Sequence, residues 1–586
     1  MKKIIKLYNK FVFAIVLACG MLISSCTDFL TIIPPSVIVH ENFWHTKAEV
    51  NGMVATAYMT MFSPSAMKSS IIWGESRAET VTLRTNREDT NIEYLMEGLL
   101  YDDNSYASWS TYYTVINYCN LVLEYGPTVM DHDPNFSEGD MQVVRGQMLA
   151  LRAMAHFYLV RAFCDIPMSM KAVINDAEIP EYHQVDPLTA LNTIYADLEE
   201  ASHLVLKSGL PSEENLGRIT TNAVYALMAD VDMWRAAFAS YYLSENSDYV
   251  DANGNKIVPT TTPDEYYDKA IAHCQYILDE MQRVQDEDPL SIKEKKYAYD
   301  LIQNTGDTEI KKYGFSSAYA EIFGRDGNSK ESILEFQITK NNYAKNEHGF
   351  AAMYGTEGKI DGATLVVEKH FLDDYFAEDD LRKYAFTTKK IITDPKDAGE
   401  DIAVVKYTAL TTSNKENGEA ERTFRAGDEF EANWIIYRKT DIMLMQAEAM
   451  LSRIAPTADE MQKAFNMTKT IYNRWMMDTT AIKRPLQLDG NAEKADYLKI
   501  VRDERARELC FEAKRWYDVV RMALQGEATD FSYKNKTTTE PEEMERRYNH
   551  ISAYFMPISK TEMRFNSNLV QNRSCRSSDD SSISKD

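Results

Sequence analysis

The stretch Ile500-Val501-Arg502-Asp503-Glu504-Arg505-Ala506-Arg507-Glu508-Leu509, followed by Glu512-Ala513-Lys514-Arg515-Trp516-Tyr517-Asp518, decides the fold class. From Tyr497 to Leu524, the residues Leu509, Ala513, Trp516, Val520 and Leu524 recur at three- and four-residue steps. That spacing lays one apolar stripe along an α-helix. Glu504 and Arg507, Glu512 and Arg515, and Asp518 and Arg521 stand three residues apart, where opposite charges on one helix support each other. The spacing predicts a helix over 497–524 whose carboxylates are ion-paired.

Working outward, the same periodicity returns repeatedly. Trp434 to Ala449 reads as a helix. So do Ala48–Met61, Trp109–Leu121, Arg145–Phe163, Thr189–Leu206, Thr221–Tyr242 and Tyr266–Arg283. In Arg145–Phe163, Met148, Leu151, Ala155, Tyr158, Leu159 and Ala162 share a stripe, with Arg145, Arg152 and His156 elsewhere on the wheel. Pro167 ends that helix, because proline lacks the N–H a helix interior needs. The chain is therefore mainly α, with a helical frame over 47–243 and 434–524.

Residues 244–433 differ in texture. Tyr249–Val258 predicts a hairpin around Asn253-Gly254. Its Asp251, Asn253 and Asn255 mimic a calcium loop, but glycine stands at the fourth position instead of the sixth and Thr262 at the twelfth, which excludes calcium. Glu331–Ile338 reads as a short strand. The tract Ala403–Ala432 is polar and strand-poor, which predicts long loops, where binding groups usually sit. A C-terminal segment over 525–573 completes a single domain beginning at residue 47, and residues 574–586 read as a separate, disordered polar tail.

The N-terminus is a separate problem. Lys2, Lys3, Lys6 and Lys10 precede an apolar run, Phe11–Ile23, of 13 residues. A membrane-crossing helix needs about 20, so residues 1–25 read as a secretory signal. Leu22-Ile23-Ser24-Ser25-Cys26 resembles a bacterial lipobox, which implies that Cys26 is acylated and becomes the mature N-terminus. Residues 26–46 then form an extended tether, since Pro34-Pro35 favours extended backbone. Phe43 and Trp44 are the first groups in it able to dock on a core.

Composition limits the partners. With 64 basic and 89 acidic residues the net charge is −25, which disfavours nucleic acid and anionic lipid surfaces. Membrane attachment must then come from acylation, for which several chains give a stable anchor. Cys119, Cys164, Cys274, Cys510 and Cys575 are an odd, scattered set with no disulfide or metal spacing. Four of the five sit in apolar helical stretches and read as buried thiols acting as small hydrophobes.

Several landmarks, quoted as they stand, resemble one family. Cys26-Thr27-Asp28-Phe29-Leu30 with Asn42-Phe43-Trp44 is similar to its start. Trp109…Tyr113…Ile116…Asn120 resembles its first helix motif. Arg145-Gly146…Leu151-Arg152-Ala153…Phe157…Asp165-Ile166-Pro167 follows, with Cys164 where the family has glycine. Trp434–Ala449 and Ile500–Asp518 match further helices, with Ala513 at another glycine position. Pro557-Ile558…Asn566-Ser567-Asn568-Leu569…Gln571-Asn572 is similar to its C-terminal signature. These residues identify the chain as resembling the SusD/RagB outer-membrane lipoproteins. The resemblance implies a tetratricopeptide-like helical scaffold, which Ala223, Tyr225, Ala226, Ala229 and Trp234 fit. It also implies a surface lipoprotein that binds oligosaccharide, or in some members peptide, and delivers it to a SusC-like TonB-dependent β-barrel transporter.

No GxSxG, P-loop, GxGxxG or HExxH motif occurs among these residues, so no cofactor, metal or catalysis is expected. A surface glycoside hydrolase is the competing class. However, Glu448, Glu504, Glu508 and Glu512 lie on helices among arginines and read as structural ion pairs. The informative excess is aromatic: 35 Tyr, 23 Phe and 7 Trp. Aromatic faces stack on the apolar faces of sugars, while hydroxyls seek polar groups. Loop aromatics beside polar residues give two candidate clusters. One is Arg84, Asn86 and Arg87 with Tyr101, Asp102, Asn104 and Tyr106. The other is Tyr313, Phe315, Tyr319, Phe323 and Arg325, followed by Tyr343 and Tyr354.

Overall fold

Helices start where the sequence supplies caps. Thr46 and Glu49 form a capping box at α1 (Lys47–Met61), and Ser63 with Pro64 opens α2 (Pro64–Gly74). Ser137 and Asp140 cap α4 (Glu138–Phe163), which follows α3 (Ser110–Tyr125). Asp186 and Pro187 start α5 (Pro187–Leu204). Each cap gives an otherwise orphaned helix N–H an acceptor, or places proline where no N–H is missed. The frame continues through α6 (Thr221–Leu243), α7 (Pro263–Glu287), α8 (Lys439–Ser452), α9 (Ala458–Arg474), α10 (Lys494–Leu509) and α11 (Arg515–Leu524).

This computed structural model describes residues 43–577, apart from 86, 176–181, 209–216, 251–254, 288–300, 304–316, 325–327, 339–348, 356–362, 389–400, 415–419, 425–431, 478–483 and 535. Cys26 and most of the tether lie outside the described residues. The chain divides into two units, Met1–His45 and Thr46–Asp586. In the first, the Phe43 and Trp44 rings meet edge to face at 4.9 Å.

In the second unit the frame helices from α3 onward pack one on the next. α3 lies on α4, α4 on α5, α5 on α6, α6 on α7 and α7 on α8, while α8 carries both α9 and α10. This serial stacking of neighbours is what a tetratricopeptide-like scaffold requires. α4 sits so deep that its wheel no longer matters: from Gly146 to Phe163 nearly every residue is buried. Gly146 permits this, because a Cβ there would stand 2.7 Å from that of Leu204. Arg152, off the apolar stripe, is buried too. Its guanidinium grips Asp197 of α5 through two bonds of 2.8 Å and donates to Asn120 of α3. His156 is fully buried, and desolvation pulls its pKa down to about 3, so it stays neutral.

Three expectations are corrected. Trp434–Arg438 is not helical; it is strand β11, paired antiparallel with β5 (Ser332–Phe336), Trp434 opposite Phe336. Its aromatic and β-branched residues fit a pleated surface, and helix begins only at Lys439. The tract Ala403–Ala432 is not strand-poor: it holds β8 (Ala403–Val404), β9 (Ala409–Asn414) and β10 (Ala420–Phe424). The remaining short pairs are β1 (Val81–Leu83) with β6 (Leu365–Val367), β3 (Ile166–Pro167) with β4 (Gln184–Val185), and β7 (Thr387–Thr388) with β8. β2 (Leu100–Tyr101) pairs in parallel with β12 (Cys575–Arg576). The last pair makes the first residues of the polar tail part of the fold.

The third correction concerns the deciding stretch itself, which breaks between α10 and α11. Phe511 and Ala513 take left-handed backbone, φ 65° and 58°. The Phe511 N–H donates to Glu75 Oε1 at 2.8 Å. Gly74 comes so close that a Cβ on it would stand 2.1 Å from the Ala513 carbonyl oxygen. The apolar spacing of Leu509 and Ala513 straddles the break, so periodicity misses it. The expected Glu512–Arg515 pair is lost with it: Glu512 meets Lys406 and Arg438, and Arg515 meets Glu79. Glu504–Arg507 and Asp518–Arg521 pair as read. Cys164, at the other family-glycine position, also has positive φ, 69°.

Candidate functional site

The helix carboxylates form the electrostatic centre of the frame. Glu508 accepts from Arg438 and Arg474 at 2.7 Å, from Arg382 at 3.2 Å and from the Trp475 indole at 2.7 Å. Arg382 also holds Asp380 and Glu504 at 2.8 and 2.7 Å. Lys406 donates to Glu512 at 2.6 Å and to the carbonyls of Glu508 and Cys510. Burial opposes ionisation here, yet Arg438, Arg474 and Arg382 outweigh it and hold Glu508 well below the usual carboxylate range. Arg438 and Lys406 likewise overcome burial and bring Glu512 down to about 2. Glu448 is buried against Arg521, at 3.0 Å, and Arg505, at 3.3 Å. Carboxylates locked this way brace the fold. Acid–base chemistry asks instead for two groups facing a substrate, with pKa values pushed apart.

The second candidate cluster joins this core. The Tyr319 hydroxyl donates to the carbonyls of Val405 and Lys406 at 3.0 and 3.1 Å. The Lys406 ammonium lies 4.9 Å from the Phe323 ring centroid, and Tyr354 is 1% exposed. Tyr319, Phe323 and Tyr354 are thus packing residues. Tyr313, Phe315, Arg325 and Tyr343 lie outside the described residues.

The first cluster folds into one surface knot, except Asn86, which lies outside the described residues. Leaving β1, the chain is tied by the Arg84 N–H to Thr364 O at 3.1 Å and by Thr85 to Asp401. Asp89 caps the helix Thr90–Met96 and accepts from the Tyr106 hydroxyl at 2.9 Å. Asn104 donates to Asn91 O at 2.9 Å and accepts from the Tyr106 N–H. Asn104 and Tyr106 are buried, and burial together with Asp89 pushes the Tyr106 phenol far up. Their polar ends hold the knot together. Tyr101 is half-buried on β2, with Tyr94 tilted against it at 4.8 Å. Arg84 is half-buried and Arg87 exposed on the same knot.

Sequence reading missed Tyr94, because it sits in a short helix, and Arg576, whose strand pairing places it opposite Tyr101. The Asp102 N–H donates to Arg576 O at 3.4 Å, and Asp102 O accepts from Lys560 N at 2.8 Å. A half-exposed aromatic pair is chemically suited to stack on the apolar face of a polyhydroxylated ring. Among the described residues, no group of three or more His, Cys, Asp or Glu is arranged to hold a metal ion. Cys119, Cys164, Cys274 and Cys510 are buried free thiols, as read.

Residues 219–574 match the SusD family, and residues 28–233 match a family described as starch-binding associating with outer membrane. The chain belongs to the SusD family. Curated relatives include SusD-like protein P38 of Formosa agariphila, 23% identical over 525 residues, covering 87% of this chain and 90% of that one. SusD-like protein P2 of the same organism is 22% identical over 555 residues, 92% of this chain and 94% of its own. Among solved structures, a SusD superfamily protein of Bacteroides thetaiotaomicron superposes with TM-score 0.61 at 17% identity, over 90% of this chain and 99% of that one. A laminarin-binding SusD-like protein superposes with TM-score 0.59 at 17% identity, with coverage of 90% and 99%. Among the described residues, no helix is long and apolar enough to cross a membrane.

Proposed function

We propose that this protein is an outer-membrane surface lipoprotein, anchored through acylated Cys26, that captures oligosaccharide and passes it intact to a SusC-like TonB-dependent transporter. The observation that carries this reading is the SusD family match over residues 219–574. The laminarin-binding fold neighbour points to glycan as the ligand class. The first ligand platform is the Tyr94–Tyr101 pair, with Arg84 and Arg87 as polar partners. Catalysis has no support in the helix carboxylates, which are consumed by Arg382, Arg438, Arg474 and Arg521. The test is calorimetric titration of the mature protein with a panel of neutral and acidic oligosaccharides. Saturable binding with intact ligand recovered is expected, weakened at least tenfold by Tyr101→Ala. Binding of peptides but no glycan would replace the ligand class, and release of new reducing ends would overturn the reading.

A further inference from the structure

A second cleft lies far along the chain from the Tyr94–Tyr101 platform. It encloses about 950 Å³ between the start of α10, the outer side of α11 and the segment Gln525–Phe531. That size falls within the range of roughly 300–1,000 Å³ typical of small-molecule sites. Its floor is apolar and aromatic: Tyr267, Leu498 and Met522 are buried, while Tyr375 and Phe531 stand half-exposed on the walls.

The charges along this cleft cancel in pairs. Lys499 meets Asp503 at 2.6 Å. Arg502 holds Glu527 and also donates to Gln525 Oε1 at 2.7 Å. Arg515 binds Glu79 at 2.7 Å from behind. Counting Lys494, Glu493 and Asp530, the lining carries four basic and four acidic residues. A polyanion would meet the carboxylates and a polycation the ammonium and guanidinium groups, so neither is favoured. A hydroxyl, which both donates and accepts, suits such a wall throughout. Three buried polar atoms of the lining residues, Arg515 Nη1, Arg502 Nε and Ser452 Oγ, have no hydrogen-bond partner among the described residues, and Arg515 is only 3% exposed. A buried guanidinium N–H left open costs stability unless a water or ligand oxygen fills it.

We propose that this cleft is a second carbohydrate site, taking a neutral oligosaccharide whose rings lie against Phe531 and Tyr375 and whose hydroxyls bridge Arg515, Gln525 and Asp503. The proposal rests on the glycan-binding reading and extends it, because two sites on one chain let a long polysaccharide be held at two points. Two sites also raise its avidity through effective concentration.

Titration of the mature protein with neutral hexasaccharides (malto-, laminari- and cello-series) and with an oligogalacturonate tests it, using Phe531→Ala, Gln525→Ala and Tyr101→Ala. Phe531 is half-exposed, so Phe531→Ala is expected to keep the wild-type melting temperature within a few degrees; Gln525→Ala also removes bonds to Arg502 and Tyr267, and its melting temperature is measured beside it. The expected result is a neutral glycan bound at two sites, one lost at least tenfold in Phe531→Ala and Gln525→Ala and kept in Tyr101→Ala. Glycan binding unchanged in both cleft variants, or confined to the oligogalacturonate, would overturn the cleft assignment and leave the glycan-binding reading standing. No binding of any glycan by the wild type would remove both.

Discussion

Two regions of this chain use the same residue types to opposite ends. In the frame, around Glu508, arginines, carboxylates and aromatic rings are wholly buried and satisfy one another. In the knot from Arg84 to Tyr106, similar residues are layered: Asp89, Asn104 and Tyr106 are spent inside, while Tyr94, Tyr101, Arg84 and Arg87 stay at or near the surface. The difference teaches that residue type does not mark a binding group here. What separates the two regions is whether the side chain reaches solvent.

The sharpest way to break the comparison is to remove the centre of the buried network. Glu508→Ala takes one shared carboxylate from three buried guanidinium groups and leaves Arg382 with Asp380 and Glu504, Arg438 with Glu512 and Arg474 with Glu331. A broken buried pair typically costs about 3–5 kcal/mol, so the variant is expected to be insoluble or to melt far below the wild type. A knot variant such as Tyr101→Ala loses only a half-exposed ring pair with Tyr94 and is expected to cost about 1 kcal/mol. Thermal denaturation of both separates the regions, and comparable losses would contradict the distinction.

Next is the contact that fixes the break between α10 and α11. Gly74→Ala drives a methyl group into the Ala513 carbonyl. Forced overpacking of this kind costs about 1–3 kcal/mol, readable as a shift in the denaturant midpoint. Glu75, from the same junction, carries a pH signature. Burial raises its pKa to about 7 from 4.5, against hydrogen bonds from Thr80 and the Phe511 N–H. Between those values the unfolded chain has lost the proton that the folded chain keeps, so stability falls as pH rises across that window. Glu75→Gln is expected to lack this decline, by on the order of 1–3 kcal/mol, when midpoints at about pH 5 and about pH 7.5 are compared.

The smallest effect runs the other way. Ala513 adopts a left-handed conformation that costs a residue with a Cβ roughly 1–2 kcal/mol. Ala513→Gly relieves that strain but gains freedom in the unfolded chain, so a net stabilisation of about 1 kcal/mol or less is expected. The denaturant midpoint checks it.

These same residues show how much the sequence revealed. The frame was legible because its stripes are local: Thr221–Leu243 and Lys47–Met61 lie within a residue of the helices read over Thr221–Tyr242 and Ala48–Met61. Trp434–Arg438 was misread because a five-residue buried strand and a buried helix look alike, and only its partner Ser332–Phe336, a hundred residues upstream, tells them apart. The break at Phe511–Ala513 was hidden because its causes, Gly74 and Glu75, lie more than four hundred residues away. The site was legible only by region. Tyr101 was singled out by its neighbours in sequence, but nothing local shows that Tyr319 and Phe323 face Lys406, or that Tyr94 meets Tyr101.

The central claim is that this chain holds glycan without altering it. Incubating the mature protein with neutral oligosaccharides, then measuring binding heat and reducing ends in one sample, tests it most directly. Saturable heat with the reducing-end count unchanged is the predicted result. New reducing ends, or no heat with any glycan, would contradict it.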